Sequence, residues 1–282
     1  MSTALRIAHG SFGRVALLDM DRPLVRHAHP HCHVLLKVEG ADTRFMVGDV
    51  IVPLTDRTAV LVNGWEPHAY VHDPDRPRTL ILALYVEPHW LDTFRTGWAA
   101  SGTPGFFGRP CGETSPRIRT LAHDLAVDMV SRPEARESHE RLLSDLMIAV
   151  IERFADWQAA PSSVRALASR PHIDWRIRRA IGAMRDGIGE EGASVSSLAD
   201  TAGLSRAHFF RLFGASVNVS PRVYFNVMRL ESAVAAIVDD DANLTEISQR
   251  LGFSAPPHFT RFFRDHAGVA PSEFRSVARL AS

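Results

Sequence analysis

The chain has 282 residues, 45% of them hydrophobic and 23% charged, with 32 basic side chains balanced by 32 acidic ones. That length and composition predict about two ordinary globular domains, each with its own core. Zero net charge excludes a protein that coats nucleic acid through a large cationic excess, but it leaves room for a local basic stripe.

The only cysteines are Cys32 and Cys111. This excludes a disulfide framework and favours a reducing compartment. Met1 to Asp19 lacks the basic patch and apolar run of a signal peptide. No stretch approaches the ~18 uninterrupted apolar residues of a membrane span. The expectation is a cytoplasmic protein with no membrane contact.

The first ~90 residues read as short strands at close spacing, the pattern of a small β-barrel or sandwich. Arg14–Met20, His33–Glu39, Thr43–Val47, Asp49–Pro53, Ala59–Asn63 and Thr79–Val86 are rich in Val, Ile, Leu and Phe. Turn pairs such as Glu39-Gly40, Val47-Gly48 and Asn63-Gly64 separate them. Glu87 to Cys111 reads as irregular. Ser115–Val130 and Ser138–Trp157 then carry apolar residues at helical spacing, with Pro133 between them. These stripes suit either a dimer contact or packing against the chain's own strands. Ala160–Pro171 reads as a linker, and everything after Asp174 is helical in pattern. The predicted domains are 1–90, a connector 91–160, a linker 161–173 and a helical domain 174–282.

The strongest signal is an internal repeat of ~50 residues. Leu198-Ala199, Ala202-Gly203-Leu204-Ser205, Phe209-Phe210-Arg211-Leu212-Phe213 and Ser220-Pro221 form the first copy. Ile247-Ser248, Leu251-Gly252-Phe253, Phe259-Thr260-Arg261-Phe262-Phe263 and Pro271 form the second. Gly203 and Gly252 fall where a helix must end and the chain reverse. Ala199 and Ser248 are small enough for two helices to cross, and Ser205 is a good N-cap. Phe209 and Phe213 are four apart and share an inward face, which leaves Arg206, Ala207, His208 and Arg211 on the outward side. This is the pattern of a helix-turn-helix, whose second helix enters the major groove. A plain helical bundle would use the same phenylalanines, but it does not explain landmarks at matched offsets. Pro221–Val238 reads as one helix of ~26 Å joining the copies, long enough to hold two reading helices roughly one DNA turn apart. Lys37 is the only lysine. Arginine suits bidentate contacts to phosphate and guanine, although a GC-rich genome produces the same bias.

Residues 190–280 resemble the DNA-binding domain of the AraC/XylS family of bacterial regulators. The match rests on Gly252-Phe253, His258-Phe259-Thr260-Arg261-Phe262-Phe263-Arg264 and Gly268 to Arg275, with Tyr224, Arg229, Leu230 and Ala233 in the joining helix. The resemblance implies sequence-specific binding to double-stranded promoter DNA beside RNA polymerase, usually as an activator and often as a homodimer. Two departures stand out. Asn218 replaces a family glycine, and asparagine tolerates the left-handed conformation. Ala255-Pro256-Pro257 opens the second reading helix where the family has polar side chains. Proline offers no donor to a base edge, so Arg206, His208 and Arg211 are expected to do more of the base reading. The second helix, with Pro257, His258, Arg261 and Arg264, is expected to lean on phosphate contacts.

Near the front, His27, His29, His31 and His33 alternate, and His68 follows Pro67. A regular strand would put the four alternating rings on one face, but Pro30 breaks that regularity. His27-x-His29-x3-His33, then Gly40 and Pro67-His68, resembles the two motifs of a cupin barrel, with His33 in the acidic position. The implied fold class is a multi-domain α and β protein. It has an N-terminal cupin-like β-barrel, a helical connector and a C-terminal all-α double helix-turn-helix. The resemblance makes His27, His29, His33 and His68 a pocket for a small-molecule effector or a site for a divalent transition metal (Zn, Fe or Ni), since neutral imidazoles bind such ions well. Cys32 is expected to point the other way as an inert thiol. Two rivals stay open: a metal-dependent cupin enzyme (dioxygenase or isomerase) with a DNA-binding tail, and an architectural DNA binder without effector.

Overall fold

The computed structural model describes residues 3–95, 98–102, 105–155, 174–189, 195–217 and 219–279. The linker 161–173, Trp157 and Asn218 lie outside them. The chain clusters into two compact units, Met1–Ala160 with Ser272–Ser282, and Pro161–Pro271.

In the first unit, strands β1 (Thr3–Gly10), β2 (Gly13–Met20), β3 (Cys32–Gly40), β6 (Thr58–Val62), β8 (Thr79–Val86) and β9 (Cys111–Glu113) form one sheet, in the order β1-β2-β8-β3-β6-β9. Strands β4 (Thr43–Val47), β5 (Val50–Leu54) and β7 (His68–Val71) form a second, in the order β5-β4-β7. All pairings are antiparallel. The central strands β2, β3 and β8 are covered on both faces, which is why they read as nearly continuous apolar runs rather than alternating ones.

Helices α1 (Pro88–Asp92), α2 (Pro116–Ser131) and α3 (Arg136–Phe154) complete this unit, with a short 3-10 turn at Trp98–Gly102. Glu87 to Cys111, expected to be irregular, therefore contains α1 and that turn. Pro88 sits at the first positions of α1, where proline is tolerated, but five residues are too few to display a helical period. The expected strands also omitted β1, β7 and β9. The first is an outer strand with a register shift between Ala4 and Arg6, and the other two span only four and three residues.

The apolar stripes of α2 and α3 are buried against one face of the larger sheet. Ile118, Ala122, Leu125 and Met129 of α2, with Leu143, Leu146 and Val150 of α3, share a cluster with Val15, Leu17, Val34, Leu36, Leu82 and Leu84. Cys32 belongs to it and is fully buried, as expected of a thiol pointing away from the histidines. Burial pushes its pKa up to about 12. Alkylation of the folded protein near pH 8 is therefore expected to label Cys111, which is only half-buried, well before Cys32. Peptide mapping checks this, and early modification of Cys32 would contradict it.

The remaining helices are α4 (Trp175–Asp186), α5 (Val195–Thr201), α6 (Arg206–Val217), α7 (Pro221–Asp239), α8 (Leu244–Arg250), α9 (Pro256–Ala267) and α10 (Pro271–Arg279). Local chemistry sets their starts. Asp174 caps α4, Ser220 caps α7 with Pro221 following, and Asn243 with Glu246 forms a capping box on α8. Among the described residues no helix is long and apolar enough to cross a membrane.

Candidate nucleic-acid interface and histidine site

The two repeats fold into the same turn. In the first, the backbone N–H groups of Ala202, Gly203 and Leu204 donate to the carbonyls of Leu198, Asp200 and Ala199 at 3.0, 2.9 and 3.0 Å. In the second, those of Leu251, Gly252 and Phe253 donate to Ile247, Gln249 and Ser248 at 3.0, 2.9 and 3.0 Å. Gly203 (φ 65°) and Gly252 (φ 68°) are both left-handed, which lets each helix end in these bonds. Beyond the turn the correspondence slips by one residue. Phe209 and Phe213 of α6 match Phe259 and Phe263 of α9, and all four are fully buried.

The opposite side of each second helix faces outward. Arg206, Ala207 and Arg211 of α6 are exposed and His208 is half-buried. Pro257, His258, Arg261 and Arg264 of α9 are all exposed. None of these four arginines has a carboxylate partner among the described residues. Ser205 caps α6 through His208 N–H at 3.4 Å. The start of α9 has no side-chain cap; Ser254 Oγ instead lies 2.9 Å from His258 Nδ1.

Arg229 of α7 ties the joining helix to the second copy. Its guanidinium lies 3.8 Å from the Phe253 ring centroid and donates to the Leu251 carbonyl at 2.8 Å. It thus braces both the apolar plug of the turn and the end of α8. Two helix-turn-helix units with outward basic faces define a DNA-binding domain.

In the first unit, the histidines converge. His27 and His68 form a β-bridge through mutual backbone hydrogen bonds of 2.9 and 2.7 Å. The turn before His68 is held by Glu66 Oε2, which accepts from Asn63 N–H and Nδ2, both at 3.0 Å. Trp65 in that turn takes a left-handed φ of 63° and donates its N–H to the His29 carbonyl at 2.6 Å. His27, His29, His33 and His68 are all buried. Ligand nitrogens of His27, His29 and His68 lie within 4.8 Å of one another. His33 falls outside that trio, although its ring centroid is 5.2 Å from that of His68 and 5.5 Å from that of His29. His31 leaves the cluster: its Nε2 meets Glu87 Oε1 at 2.8 Å. Pro30 accounts for this, because the strand begins only at Cys32.

Carbonyls select the tautomers. Val25 O accepts from His27 Nδ1 at 2.7 Å, and Glu66 O from His68 Nδ1 at 3.0 Å. A carbonyl can only accept, so in each neutral ring the lone pair sits on Nε2. Burial, reinforced by the neighbouring imidazoles and Arg14, holds His29 and His33 far below the usual histidine pKa. Burial alone pushes His68 down to about 4. All three rings are neutral at pH 7.

Sequence reasoning missed two neighbours. Tyr85 packs with ring centroids 4.8 Å from His29 and 4.2 Å from His33. Arg14 places its guanidinium carbon 4.0 Å from the Tyr85 centroid. Arg14 pairs with Tyr85 and Tyr85 with His33 across β2, β8 and β3, so the three share one face. Only the strand register could have revealed them.

Residues 198–276 match a family model described as a helix-turn-helix domain (HTH_18). The regulator ArgR of Pseudomonas aeruginosa is 27% identical over 159 residues, covering 56% of this chain and 47% of that protein. GbdR of the same species is 24% identical over 156 residues, covering 55% and 41%. The chain thus spans less than half the length of these relatives. The structure of an apo ToxT point variant from Vibrio cholerae has the same fold, with a TM-score of 0.58 at 12% identity, covering 97% of this chain and all of that one. The likeness to AraC/XylS-family regulators is thus carried by the helix-turn-helix domain at residues 198–276.

Proposed function

We propose that this protein is a cytoplasmic, sequence-specific transcriptional regulator, most simply an activator working beside RNA polymerase as a homodimer. Its first unit senses an effector. The observation that carries this reading is the pair of matched helix-turn-helix units, each with an exposed basic face. Control by population shift requires that the effector bind the two states of the protein unequally. The enzyme reading draws no support from the relatives named above, which are transcriptional regulators.

The effector arm takes a small molecule or a divalent transition metal at the histidine cluster. The donor set fits a metal. His27, His29 and His68 are buried imidazoles, and backbone carbonyls orient two of them as outer partners orient ligating histidines. Zn, Fe or Ni would be held by those three rings, with His33 beside them. Metal analysis of protein purified without an affinity tag, with His29→Ala alongside, tests this arm.

Genome-wide footprinting tests the whole reading, which fails if the chain prefers no promoter over random DNA. At residue level, Arg206→Ala is expected to cost ~1–3 kcal/mol and relax the preference at one base pair. Arg261→Ala is expected to weaken all sequences alike and reduce the salt slope by ~1. Binding-site selection at two salt concentrations separates the two. Uniform weakening by Arg206→Ala would mean that it touches only phosphate.

A further inference from the structure

Arg14 is a buried cation, only 6% exposed, and its Nη1 has no hydrogen-bond partner. Among the described residues no carboxylate lies within ion-pairing distance of it. Lys37, whose side chain is only 5% exposed, is treated differently. Lys37 Nζ meets Asp42 at 2.7 Å and Asp56 at 3.0 Å. Leaving a charge buried without a partner is strongly unfavourable, and a guanidinium cannot escape by losing its proton.

The surroundings of Arg14 define what would satisfy it. Its guanidinium stacks on Tyr85, whose ring touches His33 and His29, and beyond them lies His68. His33 Nδ1 and His68 Nε2 are also buried without hydrogen-bond partners. One end of this row is therefore a cationic N–H donor. The other end, by the tautomer fixed at Glu66, presents the Nε2 lone pair of His68.

We propose that Arg14 is the anchor of a receptor for a small carboxylate. This deepens the effector arm of the regulator reading and depends on that reading only for its biological meaning. The chemistry is complementary: a charge-assisted bond from the guanidinium to the anion. A neutral or purely apolar effector would leave Arg14 as costly as before.

The test uses the full chain without DNA, so a failure of promoter binding does not affect it. Thermal melts are run with acetate and lactate against chloride at matched ionic strength, and with acetamide and lactamide as neutral counterparts. Both acids are expected to raise the midpoint, and the amides are expected to leave it unchanged. In Arg14→Met, acid affinity is expected to fall at least ~10-fold. The ligand-free variant is expected to melt about 2–4 °C higher, because a cation held for a ligand is a liability without one. The proposal is overturned if neither acid stabilises the wild type, if the amides do as well, or if the acids act equally on Arg14→Met. It is also overturned if Arg14→Met melts lower or misfolds, which would make Arg14 a structural cation; Arg14→Gln, keeping a polar head, repeats that comparison.

Discussion

Gly189→Ala is expected to destabilise the second helix-turn-helix by roughly 2–5 kcal/mol, whereas Gly203→Ala in the first is expected to cost only ~1–2 kcal/mol. The two turns share their hydrogen bonds but differ in what stands behind them. A Cβ on Gly203 would meet nothing within 4 Å, so alanine there bears only the penalty of a left-handed backbone at φ 65°. The second turn is backed by another stretch of main chain. A Cβ on Gly252 would lie 3.1 Å from the carbonyl carbon and oxygen of Gly189. A Cβ on Gly189, itself at φ 102°, would fall 2.2 Å from the Arg250 carbonyl oxygen. Backbone cannot step aside as a flexible side chain can, so the overlap adds a packing penalty to the conformational one. Hydrogen-exchange protection of residues 244–267 in each variant reads the outcome. Equal protection in Gly189→Ala and Gly203→Ala would mean that the contact behind the second turn has little energetic weight.

That asymmetry marks how far the sequence could be read. The double helix-turn-helix was legible because its landmarks are local: a glycine, a plug and two phenylalanines four apart recur within ~50 residues, and each has one mechanical job. The one-residue slip between Gly252 and Phe259 was already present in the spacing. The contact of Gly189 with the second turn was not, because it joins segments some 60 residues apart in sequence. In the first unit, the alternating histidines and the strand lengths of β4 and β8 were readable from pattern alone. Which histidines meet depended on the left-handed turn at Trp65 and on the His27–His68 bridge. Tyr85 was read as a strand residue and Arg14 only as the start of a strand, since neither shows its neighbours until three strands are in register.

Phe213→Ala and Phe263→Ala are each expected to cost about 3–5 kcal/mol and to weaken operator binding by roughly 10²–10⁴-fold. Both rings are fully buried, and each sits 5.6–5.9 Å from the phenylalanine one turn earlier on its own helix. Phe213 also meets Tyr224 of α7 edge-on at 5.5 Å, so its loss loosens the joining helix as well as the first reading helix. The binding penalty follows from linkage. One helix of 19 residues, about 28 Å long, holds both reading helices, so engagement of the first raises the effective concentration of the second. Loosening either copy returns the domain to single-site binding. The consequences for specificity are expected to differ. Pro256 and Pro257 give α9 no backbone donor at its exposed tip, while α6 presents Arg206 and Arg211. Phe213→Ala is therefore expected to erase sequence preference, and Phe263→Ala to weaken strong and weak sites alike. Gel-shift titrations on an operator and on scrambled DNA, beside circular dichroism of each variant, decide between these outcomes. Wild-type affinity in a variant whose altered copy has lost its exchange protection would rule out cooperation between the two copies.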